Sequence, residues 1–170
     1  MVFSERFAIL FLCSAYLAGI VGIGLPVHPD FVRLTPFNLL LTTFVILFFH
    51  PWRDSALQRF AAAAFAIGYG VEVLGVNTGF PFGQYTYGEV LGFKVFDTPL
   101  LIGGNWLLTA YCVGALICRF LPVQSVGMRA MVAAAGMTAL DVLIEPVAIR
   151  TGMWEWAESG SVPWQNYAAW

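Results

Sequence analysis

The chain has 170 residues, of which 59% are hydrophobic, 16% aromatic and only 11% charged, with a formal net charge of -2. A soluble domain keeps roughly a quarter of its residues charged, so this composition, with a mean hydropathy of +0.78, indicates an integral membrane protein. The few basic residues form no cluster, which excludes the basic surface by which proteins bind nucleic acid.

Five apolar runs predict five transmembrane helices, because ~20 apolar residues in a helix cross a hydrocarbon layer of ~30 Å. The runs cover residues 7–27, 36–52, 60–76, 99–121 and 128–150. The first run is too long for a signal peptide and lacks a small-x-small cleavage pattern, so we interpret it as a span. We therefore expect an all-α integral membrane protein that forms one transmembrane domain over residues 1–170.

Two segments outside these runs are rich in aromatic residues. The loop of residues 77–98 is broken by Gly and Pro, so it is not suited to cross lipid, and its aromatic rings suit the membrane interface. The tail of residues 153–170 contains four of the tryptophans. An interfacial aromatic belt explains part of this pattern, and a lip that binds a lipid-like substrate is the alternative.

The basic residues indicate an orientation in the membrane. With a cytoplasmic N-terminus, the cytoplasmic side carries Arg6, Arg53, Arg59, Arg119 and Arg129. Arg33, Lys94 and Arg150 then lie on the other side. This bias favours a cytoplasmic N-terminus, and it places the aromatic loop and the Trp-rich tail on the same, non-cytoplasmic face.

Three carboxylates lie within the predicted spans, beneath that face. Asp141 and Glu145 are four residues apart, so on a helix they project from one face, and Glu72 is expected at a similar depth. Charge is costly inside a membrane and adjacent carboxylates repel, so we expect at least one of the pair to hold a proton at neutral pH. Arg150, five residues beyond Glu145, is predicted to neutralise part of the charge.

Acids beneath an aromatic surface suggest acid chemistry on an apolar molecule. A desolvated carboxylic acid can protonate an alkene, and aromatic rings stabilise the resulting carbocation through their negative faces. An ionised carboxylate can orient a water molecule that captures the cation. The alternative is that the acids only form hydrogen bonds between helices. Asn105 and Trp106 stand at the start of the fourth span, and Asn105 either satisfies a helix end, bonds a carboxylate or contacts the substrate.

The sequence contains no recognisable metal or nucleotide motif. Cys13, Cys112 and Cys118 lie in apolar runs without CxxC spacing, and His28 and His50 each stand alone beside a proline. We therefore predict no metal site, and no Walker or dinucleotide-binding loop is present.

Several segments that contain these residues resemble a family of membrane proteins of carotenoid biosynthesis. The matching segments are Glu72 with GVNTGFPFGQYTYGEVLG at residues 75–92, NWLLTAY at 105–111, Asp141 with IEP at 144–146, GMWEW at 152–156 and VPWQNYAAW at 162–170. The family includes carotenoid hydratases: bacterial 1,2-hydratases of lycopene or γ-carotene ends and archaeal hydratases of C50 carotenoids. This chain differs from the family pattern at Leu140, where Trp is usual, and at Glu145-Pro146, where Asp-Pro is usual. It also differs at Val147, where a polar residue is usual.

The resemblance implies acid-catalysed addition of water to the terminal C=C of a carotenoid ψ end group, without a redox or metal cofactor. It implies a lycopene-like polyene as substrate, contact with membrane lipid and with other membrane proteins, and a location in a prokaryotic cytoplasmic membrane. Glu72, Asp141 and Glu145 are the predicted catalytic acids. The side chains predicted to bind the substrate are Asn105, Trp106, Phe82, Tyr85, Tyr87, Trp154, Trp156 and Asn166.

Two other functions remain open. A lycopene-cyclase-like enzyme also begins with alkene protonation, but a neighbouring double bond then captures the cation. A non-catalytic carotenoid-binding subunit of a membrane complex would use the same aromatic surface. After the residues that correspond to Asn166, Tyr167 and Trp170, the resembling proteins continue into further hydrophobic helix. We therefore expect this chain to be either a portion of a longer protein or a compact form.

Overall fold

A computed structural model describes residues 4–25, 28–50, 54–121, 125–157 and 161–170. Its long helices are α1 (Glu5–Gly24), α2 (Thr35–Phe48), α3 (Ser55–Thr78), α4 (Leu101–Phe120) and α5 (Val126–Arg150), and a 3-10 helix (Pro29–Leu34) leads into α2. Within these described residues, five helical segments are long and apolar enough to cross a membrane, the second of them being the 3-10 helix with α2. The predicted all-α membrane fold is confirmed. The predicted ends of the first two runs, residues 27 and 52, and Arg53 lie outside the described residues.

The third helix is longer than the apolar run that predicted it, because polar residues cap it. The Asp54 side chain accepts a hydrogen bond from the backbone N–H of Ala56 and so begins α3 ahead of its apolar part. At the other end Gly79 adopts a left-handed conformation with φ 76°, and its N–H bonds to the Gly75 carbonyl. Such a glycine ends helices without the steric penalty of a Cβ atom.

Helices α3, α4 and α5 form the packed part of the bundle, with α4 between the other two. Two glycines allow α3 and α4 to approach closely: a Cβ atom at Gly68 would overlap Trp106, and one at Gly103 would overlap Phe65. Small residues have this role in membrane bundles, where close backbone approach provides much of the packing energy.

Helices α1 and α2 lie at the side of this core. They pack on each other and on the 3-10 helix, and α2 also contacts α4. Apolar side chains along α1, such as Phe7, Leu10 and Leu17, are exposed, as expected of a helix that faces lipid.

The aromatic loop and the tail contain short strands that the sequence did not predict. They are β1 (Tyr85–Tyr87), β2 (Lys94–Val95), β3 (Thr98–Pro99) and β4 (Trp154–Trp156), followed by a short helix α6 (Trp164–Ala169). Strands β2 and β3 form a hairpin, whereas β1 pairs with β4, so the loop after α3 is joined to the segment after α5.

The loop is fixed to the bundle by polar contacts. The Tyr69 hydroxyl of α3 donates to the Val95 carbonyl at 2.7 Å, and the Lys94 ammonium donates to the Tyr87 carbonyl at 2.8 Å and to Glu89 at 2.7 Å. These contacts hold the β2–β3 hairpin and β1 together above the end of α3.

Candidate active site

One cavity of about 50 Å³ lies between α3, α4 and α5, beneath the β1–β4 ribbon. Every side chain predicted for the site lines it: Glu72, Asp141, Glu145, Asn105, Trp106, Phe82, Tyr85, Tyr87, Trp154, Trp156 and Asn166. The structure therefore brings these residues together, and their catalytic and binding roles remain predictions.

The three acids reach the cavity from the buried faces of two helices. On α3 the buried positions include Gly68, Glu72 and Gly75, spaced by four and three residues, which is the helical period. On α5 Asp141 and Glu145 lie one turn apart on the buried face. The exposed fractions of the Glu72, Asp141 and Glu145 side chains are only 5%, 4% and 2%.

Glu72 accepts three hydrogen bonds from neutral donors. The hydroxyls of Tyr85 and Tyr87 donate to its Oε2 at 2.6 and 2.7 Å. The indole N–H of Trp106 donates to its Oε1 at 2.9 Å. Both oxygens of this buried carboxyl group are therefore satisfied without a cation.

Glu145 and Asp141 share one donor. The indole N–H groups of Trp154 and Trp156 both donate to Glu145 Oε2 at 3.0 Å. The Asn166 amide donates to Asp141 Oδ2 at 2.7 Å and lies 3.4 Å from Glu145 Oε1. Asn166 thus ties α6 to both acids of α5, which makes it a positioning group in addition to a lining residue.

The β1–β4 ribbon explains why four aromatic donors face the acids. Tyr85 is paired with Trp156 and Tyr87 with Trp154, while the exposed residues Thr86 and Glu155 are paired between them. Because side chains alternate across a strand, both tyrosines and both tryptophans point to the same face of the ribbon. That face covers the cavity.

Burial raises the pKa of Tyr85, and the negative charge of Glu72 and the hydrogen bond to it raise the pKa further. The pKa of Tyr87 is also raised, first by burial and then by the charge of Glu72. The protonated phenol is the form that donates to a carboxylate, so both hydroxyls remain donors across the physiological range.

Gly75 makes room for this arrangement. It lies one turn after Glu72 on α3, and a Cβ atom at its position would overlap the ring of Phe82 and the hydroxyl of Tyr85. Both aromatic side chains are buried, so a Cβ atom at Gly75 would force them out of their packed positions.

The prediction that Arg150 neutralises the acids is wrong. Arg150 is exposed, and among the described residues neither it nor any other Lys or Arg forms an ion pair with Glu72, Asp141 or Glu145. Five residues along a helix correspond to a rotation of roughly 140° from the starting face, so Arg150 points away from the side that carries Glu145.

Sequence reasoning missed three residues of the cavity wall, Ile102, Ile144 and Trp170. The Trp170 ring stacks on that of Trp106, with centroids 4.4 Å apart and planes inclined by 6°. The tail tryptophans were the available signal, but an interfacial belt explained Trp170 equally well.

Asn105 lines the cavity, as predicted. Its side chain forms no hydrogen bond with a carboxylate among the described residues, so the predicted alternative of a bond from Asn105 to a carboxylate is not observed.

Comparisons with known proteins agree with the resemblance. In an alignment 159 residues long that covers 84% of this chain, it is 30% identical to the bisanhydrobacterioruberin hydratase of Haloarcula japonica. The match covers 52% of that protein, so the chain spans about half the length of this curated relative. No solved structure matches the chain. The family described as carotenoid biosynthesis protein matches residues 35–170, far more than half of the sequence, and the chain therefore belongs to that family.

Proposed function

We propose that this chain carries the active site of a carotenoid hydratase, which adds water to the terminal C=C of a ψ end group by acid catalysis. The observation that supports the proposal is the meeting of three buried carboxyl groups at one cavity whose other walls are mostly aromatic. Membership of a carotenoid biosynthesis family and similarity to a protein named as a hydratase favour the same reaction.

Asp141 is the proton donor in this proposal. An indole N–H can only donate, so Glu145 Oε2, with two such donors, and Glu72 Oε1, with one, act as acceptors in every protonation state. Asp141 receives a single bond, from the Asn166 amide. Hydrogen bonds that donate to a carboxylate favour its charged form, so the proton is best placed on the acid with the fewest donors.

In this proposal Glu72 and Glu145 are the ionised acids, and they balance the positive charge that develops on the substrate. Fixed charges and aromatic faces in a site shielded from bulk water stabilise a cation far more than they would in solution. Trp106, Trp154 and Trp156 provide the nearest aromatic faces, and each is oriented by its hydrogen bond to one of the two acids.

The reaction then follows in two steps that balance. Asp141 gives its proton to the less substituted carbon of the terminal C=C, whose π electrons form the new C–H bond and leave the positive charge on the more substituted carbon. The oxygen of a water molecule forms a C–O bond to that carbon, and its surplus proton passes to the Asp141 carboxylate. The substrate gains one water, and the acid is regenerated.

The end group must enter by separation of the cavity wall, because a space of about 50 Å³ holds only a few water molecules. Trp170 contacts the site through its stack on Trp106, whereas Trp106, Trp154 and Trp156 are each bonded to an acid. We infer that the Trp106–Trp170 contact opens to admit the polyene from the membrane.

We further propose that residues 1–170 act as one transmembrane domain in a prokaryotic cytoplasmic membrane, with a cytoplasmic N-terminus.

Expression of the chain in a lycopene-producing bacterium, followed by chromatography and mass detection of the pigments, tests the proposal. A product heavier than lycopene by one water is expected from the wild type and from Asp97→Asn, a matched change at an exposed loop position. Asp141→Asn should abolish that product while the protein still reaches the membrane. An isomer of unchanged mass would indicate cyclisation, and bound pigment without any product would indicate a binding subunit; either result contradicts hydration.

A further inference from the structure

Asn105 differs from the other polar residues around the cavity. Every other carboxyl, carboxamide and hydroxyl group in the lining takes part in the hydrogen bonds described above. The Asn105 backbone carbonyl accepts a bond from the Thr109 hydroxyl, but its half-buried side chain bonds to none of the residues that the structure describes. One N–H₂ donor and one C=O acceptor therefore remain available to a molecule in the cavity.

The register of α4 and α5 places this amide opposite the acids. The two helices pack on each other, and the short connection between them makes them antiparallel. A Cβ atom at Gly136 of α5 would touch Val113 of α4. Asn105 precedes Val113 on α4 by the same number of residues as Ile144 follows Gly136 on α5. Asn105 and Ile144 therefore lie at the same level of the bundle. Asn105 thus lies across the cavity from the turn of α5 that runs from Asp141 to Glu145.

The size and polarity of the space fit water. A buried water needs room for one probe sphere and two to four polar partners, and a cavity of about 50 Å³ meets the first condition. The Asn105 amide and the two carboxyl groups of α5 meet the second. Water fits this space as it stands, whereas an isoprenoid end group enters only when the wall separates.

We propose that Asn105 binds the water molecule that captures the carbocation. This inference rests on the proposed hydration reaction and adds the residue that selects water as the nucleophile. The Asn105 carbonyl accepts a hydrogen bond from one O–H of the water and so directs an oxygen lone pair at the positive carbon. An amide takes up no proton at neutral pH, so the surplus proton of the new C–O bond goes to the Asp141 carboxylate.

The test separates protonation of the alkene from capture of the cation. Purified chain in detergent is incubated with lycopene in D₂O, and both the hydrated product and the deuterium content of recovered lycopene are measured by mass. A cation that meets no water loses a proton from a neighbouring carbon and returns to an alkene, and some of that alkene carries deuterium. Asn105→Leu should lower the hydrated product roughly tenfold or more, the factor expected for loss of one bond to a reacting group, while deuterium still enters lycopene.

Two further variants keep the test decisive. Asn105→Ser retains a small donor and acceptor and should recover part of the hydration. Asn38→Leu makes the same change on α2, away from the cavity, and should behave as the wild type. Wild-type hydration by Asn105→Leu, or loss of deuterium uptake together with hydration in that variant, overturns the inference. A wild-type chain that neither adds water nor incorporates deuterium overturns the proposed function itself.

Discussion

Tyr85 and Trp156 are opposite neighbours in the β1–β4 ribbon, with ring centroids 5.0 Å apart, yet their polar atoms bind different acids. Tyr85 donates to Glu72 on α3 and Trp156 donates to Glu145 on α5. The ribbon therefore fixes the separation between carboxyl groups that belong to two helices. A change in one strand should consequently affect the site without altering the membrane-spanning part of the fold.

Replacing Trp156 with Phe keeps an aromatic ring over the cavity and removes one of the two indole donors to Glu145. A hydrogen bond to a charged group contributes about 1.5–3 kcal/mol, so the rate of product formation should fall roughly 10- to 100-fold. Trp164→Phe is the matched control, because the Trp164 side chain is 79% exposed. Rates measured with lycopene in detergent should separate the two variants, and equal rates would contradict the role given to the indole N–H.

Replacing Glu72 with Gln removes a negative charge from the cavity and turns one acceptor oxygen into an amide N–H₂, which faces either the Trp106 indole N–H or the two tyrosine hydroxyls that now donate to the carboxylate. Both effects act against the cationic intermediate, so hydrated product should fall by about 100-fold, a typical cost of losing one electrostatic contact with a transition state. Glu5→Gln, at an exposed position on α1, provides the control. If hydration by Glu72→Gln equals that of Glu5→Gln, the charge of Glu72 has no part in the reaction.

Much of the bundle follows from the sequence, because hydropathy and length alone determine which segments can cross a membrane. The shared face of Asp141 and Glu145 also follows, since a spacing of four residues on a helix leaves little choice. The same helical geometry, applied to the spacing of five residues between Glu145 and Arg150, would have predicted that Arg150 points away from Glu145.

The ribbon could not be predicted with the same means. Its strands are three residues long, YTY and WEW, and their alternation of aromatic and polar residues is too short to be distinguished from chance. The whole of α4 and α5 separates its two strands in the sequence, so their pairing depends on how the bundle folds. The shared donor Asn166 has the same origin, because only the fold brings α6 beside α5.

Replacing Gly75 with Ala tests the close packing beside Glu72. The added methyl group would overlap Phe82 and the Tyr85 hydroxyl, and the two buried rings have little room to yield. Overpacking of this kind typically costs about 1–3 kcal/mol, and displacement of Tyr85 would also weaken its bond to Glu72. We expect a lower thermal midpoint in detergent and reduced hydration.

Gly70→Ala is the control for that variant, because it is on the same helix and a Cβ atom there meets nothing within 4 Å. Its thermal midpoint should be equal to or slightly above that of the wild type, since alanine favours a helix more than glycine does. A midpoint for Gly75→Ala as high as that of Gly70→Ala would show that the Tyr85 hydroxyl does not lie against α3.

The raised pKa values of Tyr85 and Tyr87 predict how the protein responds to alkaline pH. Because the folded protein binds these two phenol protons more tightly than the unfolded chain does, their contribution to stability is complete below the ordinary tyrosine pKa of about 10. It is lost as pH rises from that value through their higher folded values.

An absorbance titration of tyrosinate near pH 10 should therefore give the same amplitude for the wild type and for the double variant Tyr85→Phe/Tyr87→Phe. After unfolding in urea and ionic detergent, the amplitudes should differ, since the chain has six tyrosines and the variant lacks two of them. A smaller amplitude for the folded variant would mean that the two phenols ionise in the native protein, and that they do not donate hydrogen bonds to Glu72.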